Sequence, residues 1–235
     1  MKAFLMIGQS NMAGRGDFGE VEQIKNPLCR MLRNGRWIPM SEPINPDRGI
    51  FDYFHSGVGL AASFADEYAK HFNEEIGLIP CADGGTMLAE WQPGEILYDH
   101  AVAQAKLAQR SAEIVGILWH QGESDSNEKE KAETYRARFL YMISSLLKDL
   151  SLPEDTPIVM GELGEFVSFY KDGTYTYYKD INATFHALAE EKESFAVASA
   201  EGLPCKEDGI HFTSAAYREL GIRYFKEYLK IRGCI

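Results

Sequence analysis

Five short, largely apolar runs punctuate the chain: Lys2 to Ile7, Ile76 to Cys81, Ile114 to Trp119, Pro157 to Glu162 and Phe195 to Ala198. Runs of this length, bounded by turn residues, are the pattern of strands buried on both faces. Between them, apolar residues recur every three to four positions over Val58 to Phe72, Leu97 to Arg110, Lys129 to Leu150, Tyr178 to Lys192 and Ser214 to Lys230. That is the spacing of one buried helix face. Strand and helix therefore alternate, which predicts right-handed crossovers and an α/β fold: a three-layer αβα sandwich with a central, mostly parallel five-stranded sheet. In such sheets ligands lie beyond the carboxyl ends of the strands, so chemistry is expected in the loops that follow them.

The segment from Asp17 to Phe54 has no period, being broken by Pro27, Pro39, Pro43, Pro46 and several glycines, and is expected to be a long loop insertion. No repeat or linker marks a second domain, and 235 residues suit one core, so residues 1–235 read as a single domain. The net charge of -11, with no Lys or Arg run longer than a dipeptide, argues against nucleic acid and anionic membranes as partners. Cys29, Cys81, Cys205 and Cys234 are too scattered for a CxxC motif and read as free thiols. The apolar start, Met1 to Ile7, meets Gly8 and Gln9 at once. It is too short for a signal peptide or a membrane helix, and a cytoplasmic location is expected.

The first strand runs into Gly8-Gln9-Ser10-Asn11-Met12-Ala13-Gly14, which places Ser10 at the strand's carboxyl end and at the start of a short helix. A helix start offers free N–H groups and partial positive charge to an oxyanion formed at Ser10; a serine there also reads as an ordinary N-cap. A serine nucleophile needs a base. Asp208-Gly209-Ile210-His211 supplies a histidine with a carboxylate three residues earlier, although Asp208 and Thr213 also read as caps of the last helix. After the second strand, Asp83-Gly84-Gly85-Thr86 lets backbone approach a ligand closely, with the Gly85 N–H as the natural oxyanion donor, or forms a plain turn. The third strand ends in Trp119-His120-Gln121-Gly122-Glu123-Ser124-Asp125. Here the Gln121 amide suits an oxyanion hole, while His120, Glu123 and Asp125 are candidates to orient the loop or bind substrate. A solvated turn, or a metal site joining His120, Glu123 or Asp125 to Asp208 and His211, are the competing readings.

In order along the chain, GQSNMAG (Gly8 to Gly14), Gly84-Gly85-Thr86 followed by Trp91, WHQGESD (Trp119 to Asp125) and DGIH (Asp208 to His211) resemble the motifs of the SGNH hydrolase superfamily. Within it, the chain is similar over nearly its full length to the sialate O-acetylesterase-like carbohydrate esterases, which include acetylxylan esterases. The resemblance implies a flavodoxin-like SGNH fold and a serine esterase acting on O-acetyl esters of sialic acid, xylo-oligosaccharides or related sugars. It implies Ser10 as nucleophile, His211 as base and acid, Asp208 as its orienter, and an oxyanion hole of the Ser10 and Gly85 N–H groups with the Gln121 side chain. Gln9, Asn11, His120 and Glu123 are candidate supporting or substrate-binding residues. No cofactor and no metal is expected, and the only partner implied is a small-molecule or oligosaccharide substrate. Gly57-Val58-Gly59-Leu60 departs from the Gly-Pro-Glu of relatives, so that wall of the pocket is expected to differ. Trp37, Tyr53, Phe54 and Trp91 are candidates for stacking on a pyranose. The alternatives are an SGNH lipase-like esterase or thioesterase acting on non-carbohydrate acyl esters, a metal-dependent phosphoesterase, and a non-catalytic sugar-binding protein.

Overall fold

A doubly wound sheet forms the centre of the computed structural model, which describes residues 1–47 and 55–234. Among the described residues it has seven strands: β1 (Lys2–Gly8), β2 (Cys29–Arg33), β3 (Arg36–Pro39), β4 (Ile76–Pro80), β5 (Glu113–His120), β6 (Ile158–Gly161) and β7 (Phe195–Ala198), in the order β3-β2-β4-β1-β5-β6-β7. All neighbours run parallel except β2 and β3. The α-helices that accompany them are α1 (Ser10–Ala13), α2 (Leu60–Phe72), α3 (Ile96–Ala108), α4 (Lys129–Asp149), α5 (Tyr178–Glu191) and α6 (Ser214–Ile231). Every strand and long helix expected from the apolar pattern is present within a few residues of its expected bounds.

The sheet has seven strands, not five, because the segment expected to be a loop insertion contains the β2–β3 hairpin. Asn34 and Gly35 turn it, both with positive φ (49° and 72°), the conformation a two-residue hairpin loop requires. Arg30, Arg33 and Arg36 interrupt its apolar positions, as befits an edge ribbon, yet Cys29, Met31 and Leu32 are buried and β2 extends the parallel sheet through β4.

Alternate residues of β1 feed the two faces. Ala3, Leu5 and Ile7 pack with α3, α4 and α5, whereas Phe4 and Met6 pack with α2 and α6. On the second face, Phe4, Phe64, Tyr68 and Tyr228 meet largely edge to face, fixing β1 against both helices. Taking the five expected strands alone, the order second-first-third-fourth-fifth is flavodoxin-like, and its topological switch point lies between β1 and β5. Ser10, two residues beyond β1, therefore stands at the mouth of that crevice. All four cysteines are free. Among the described residues no helix is long and apolar enough to cross a membrane.

Candidate active site

At the end of β1 the chain turns sharply: the Gln9 N–H donates to His120 O across the sheet, while Gln9 O accepts from the Met12 and Ala13 N–H groups to start α1. Gln9 is thus the N-cap, and the Ser10 hydroxyl caps nothing. The Ser10 Oγ instead lies 2.9 Å from His211 Nε2. His211 Nδ1 is 2.8 Å from Asp208 Oδ2, and the other carboxylate oxygen, Oδ1, accepts from the Ile210 and His211 N–H groups at 3.1 and 3.0 Å. The cap of α6 is Thr213, whose side chain accepts from Ala216 N–H, so the helix-cap reading holds for Thr213 and not for Asp208.

Because Asp208 Oδ2 can only accept from the imidazole when ionised, Nδ1 carries the proton and Nε2 offers its lone pair to Ser10. Burial pushes the Asp208 carboxyl up, but hydrogen bonds from His211 and the two amides outweigh it, and the group sits below its ordinary range. Burial likewise lowers His211 and, with Arg15 and Lys206 nearby, prevails over the opposing pull of Asp208, leaving the imidazole below 6.5. At neutral pH this histidine is an unprotonated base.

Asp83-Gly84-Gly85-Thr86 borders the same cleft. Its Gly85 has φ 76°, a left-handed conformation that suits glycine. Neither the Gly85 nor the Ser10 N–H has a partner among the described residues. α1 is only four residues long, so the useful donor at Ser10 is its own amide and not a helix dipole. Trp91 holds the glycine turn from the inside: its Nε1 donates to Thr86 Oγ1 at 3.1 Å, and its ring packs edge-on against Trp119.

The loop after β5 departs from expectation. Gln121 is fully buried, and its amide nitrogen donates to Thr86 O (3.0 Å) and Asp125 Oδ2 (2.7 Å), while Tyr135 OH donates to its Oε1 (2.8 Å). Both amide hydrogens are engaged and the side chain does not line the cleft, so Gln121 locks the loop to the glycine turn and does not reach an oxyanion. His120 and Glu123 are also fully buried and do not line the cleft, which corrects any substrate-binding role for them. Tyr224 OH donates to Trp119 O and so accepts from His120 Nδ1–H. Burial drops His120 to about 3 and lifts Glu123 to about 7. Glu123 Oε1 accepts from Asn11 Nδ2 at 2.5 Å. The same nitrogen donates to Ile210 O, and Tyr217 OH donates to Asn11 Oδ1. Asn11 therefore ties the Ser10 turn to the loop that carries Asp208 and His211. His120, Glu123 and Asp125 do not converge with Asp208 and His211, and among the described residues no three His, Cys, Asp or Glu side chains are placed to hold a metal ion.

The cleft over Ser10 has a volume of about 570 Å³. Its walls bring in residues the motifs do not include: Arg15, Phe18, Tyr170, Lys171, Tyr175 and Lys206. Three of these, Tyr170, Lys171 and Tyr175, come from the aromatic-rich segment between β6 and α5. Gly57 of the divergent wall also lines the cleft, and the Gly59 N–H donates to Glu42, which pairs with Arg218. Trp91 is core, and Trp37 packs on the sheet edge over Gly77 with its Nε1 donating to Ser111 Oγ, so neither is a sugar platform. Tyr53 and Phe54 lie outside the described residues.

A serine-bearing turn after the first strand and a C-terminal histidine loop, meeting at the switch point of a flavodoxin-like sheet, define the SGNH hydrolase fold. The family described as carbohydrate esterase, sialic acid-specific acetylesterase, matches residues 1–230, and the chain belongs to it. It is 33% identical, across 96% of its length and 89% of the relative's, to a "probable carbohydrate esterase" of Arabidopsis thaliana. The X-ray structure of that plant protein superposes with a TM-score of 0.84 over 97% of each chain, at 30% identity. NanS (TM-score 0.75, 18% identity, 98% of this chain and 97% of that one) and a carbohydrate acetylesterase of Xanthomonas citri (0.68, 16%, 97% and 56%) share the fold. Family and relatives together support carbohydrate esterase activity.

Proposed function

We propose that the chain is a serine esterase that removes acetyl groups from a sugar, with Ser10 as nucleophile, His211 as general base and acid, and Asp208 as the group that orients His211. The observation that carries this reading is the unbroken path from Ser10 Oγ through His211 to Asp208, at 2.9 and 2.8 Å, beside two backbone N–H groups that no described residue engages. Ser10 Oγ attacks the ester carbonyl carbon as His211 Nε2 takes its proton, and the Ser10 and Gly85 amides receive the oxyanion. Collapse breaks the bond to the sugar oxygen, which takes that proton from His211 and leaves as a hydroxyl. Water, giving a proton to His211, then attacks the acetyl-serine; collapse breaks the bond to Ser10 Oγ, which takes that proton back from His211, and the acetic acid released ionises to acetate.

Phe18, Tyr170 and Tyr175 suit stacking on a pyranose ring. Arg15, Lys171 and Lys206 bring cationic groups to this cleft of a chain whose net charge is -11, which suits the carboxylate of an acetylated sialic acid. Acetate release measured on O-acetylated sialic acid, acetylated xylo-oligosaccharides and acetylated monosaccharides is expected for at least one of these substrates. Turnover that rises from acetyl to octanoyl esters would favour a lipase-like enzyme instead.

The depressed His211 pKa sets the pH dependence. Activity requires the neutral imidazole, so kcat/KM should fall as pH drops through an apparent pKa below 6.5 and stay level from there toward neutrality. A pH-rate profile that is flat on the acid side would count against His211 as the base.

A further inference from the structure

The Ser10 and Gly85 amides offer two donors to an oxyanion, and the engagement of Gln121 leaves the third position unfilled by the loop after β5. A different carboxamide stands beside the nucleophile. Gln9 is only 2% exposed, yet it lines the cleft together with Ser10, Gly85 and His211. Its Oε1 accepts from the Ser124 N–H at 3.3 Å and from the Gly122 N–H at 3.5 Å. Two N–H donors meeting one end of an amide require oxygen there, so the orientation of the group is fixed and the nitrogen occupies the other end. That nitrogen has no hydrogen-bond partner among the described residues. The buried side-chain polar atoms that lack partners among those residues are His120 Nε2 and Glu123 Oε2; Gln9 Nε2 is not one of them and therefore opens to the cleft.

Resting on the serine-esterase reading, we propose that Gln9 Nε2 is the third oxyanion-hole donor and holds the function that motif resemblance assigns to Gln121. The group donates a hydrogen bond as the carbonyl oxygen gains charge and transfers no proton. A preorganised neutral donor of this kind contributes most when charge develops, so its loss appears in kcat rather than in KM. The Gly122 and Ser124 amides hold Gln9 in place, which gives the buried β5 loop a defined part in preorganisation without contact with substrate.

The test compares wild type with Gln9→Met, which keeps length and removes the donor, and Gln9→Glu, which adds charge beside the oxyanion. Expected is a fall in kcat of about 10²-fold for Gln9→Met and more for Gln9→Glu, with KM changed by no more than about threefold. The affinity for methylboronic acid, whose tetrahedral adduct with Ser10 places an oxygen in the same hole, should fall in proportion to kcat/KM. A merely structural role would lower the melting temperature without that proportionality. Wild-type acetate release and fluorophosphonate labelling of Ser10, combined with kcat within about threefold of wild type in both variants, would overturn this inference alone. Neither release nor labelling in wild type would overturn it along with the parent reading.

Discussion

Replacing Ser10 with alanine is expected to lower kcat by about 10⁴-fold or more while leaving the fold intact. The physical case for so clean an effect is local. Ser10 is 6% exposed, and among the described residues its hydroxyl bonds only to His211 Nε2, so removing it deletes no helix cap. Alanine is also a good residue inside α1. On the proposed mechanism, what disappears is the acyl acceptor. The amides of residue 10 and Gly85 remain to polarise a bound carbonyl, and the rate left above background should reflect them and binding alone. Stopped assays of acetate release, run beside thermal denaturation and fluorophosphonate labelling, check the three parts of the expectation. A Ser10→Ala variant that turns over within about tenfold of wild type would end the covalent mechanism, whatever the substrate.

The parallel core was legible because burial on both faces leaves continuous apolar runs. The runs from Ile76 to Cys81 and from Ile114 to Trp119 are too short for a helix and too apolar for a loop, which leaves a buried strand. The β2–β3 hairpin was hidden by the same logic working in reverse. As an edge ribbon its two strands are only five and four residues long and are broken by arginines, which is too short a stretch for a period to emerge. Its local signal was the Asn34-Gly35 pair, a strong two-residue turn motif set within an otherwise proline-broken segment.

At the site, spacing within one loop was readable and orientation across loops was not. Asp208 and His211 are three residues apart, and their pairing follows from local turn geometry. Whether Gln121 or Gln9 faces the cleft depends on what each amide meets in three dimensions. Gln121 meets Thr86, Asp125 and Tyr135 in the core, all from other turns of the chain except Asp125. Likewise the aromatic walls Phe18, Tyr170 and Tyr175 come from irregular segments with no period to betray them, whereas the tryptophans Trp37 and Trp91, the more obvious sugar platforms, are taken up by packing. The polar cluster after β5 stands out in the sequence because it follows a buried run at once. Its part in the structure is to join the Ser10 turn to the loop that carries Asp208 and His211, through Glu123, Asn11 and the Ile210 carbonyl.

For Asp208→Asn the expected loss in kcat is about 10³- to 10⁴-fold, and its pH profile separates the cause from simple damage to the loop. An asparagine oxygen can still accept from the Ile210 and His211 amides, so the turn is preserved. Its NH₂ group then faces Nδ1, which must become the acceptor, and the imidazole proton moves to Nε2, where it points at Ser10 Oγ and leaves no lone pair there to take the serine proton. The exposure of the Asp208 side chain, 41%, tempers the loss, since water can replace part of the lost electrostatic support and let the productive tautomer recur. In wild type, Asp208 pulls the His211 pKa upward against burial. Without that carboxylate the pKa falls further, so the acid limb of the rate profile should move to lower pH even as the plateau drops. A lower plateau with the limb unmoved would mean that Asp208 acts only by shaping the loop, and a limb shifted to higher pH would contradict the assignment of its charge.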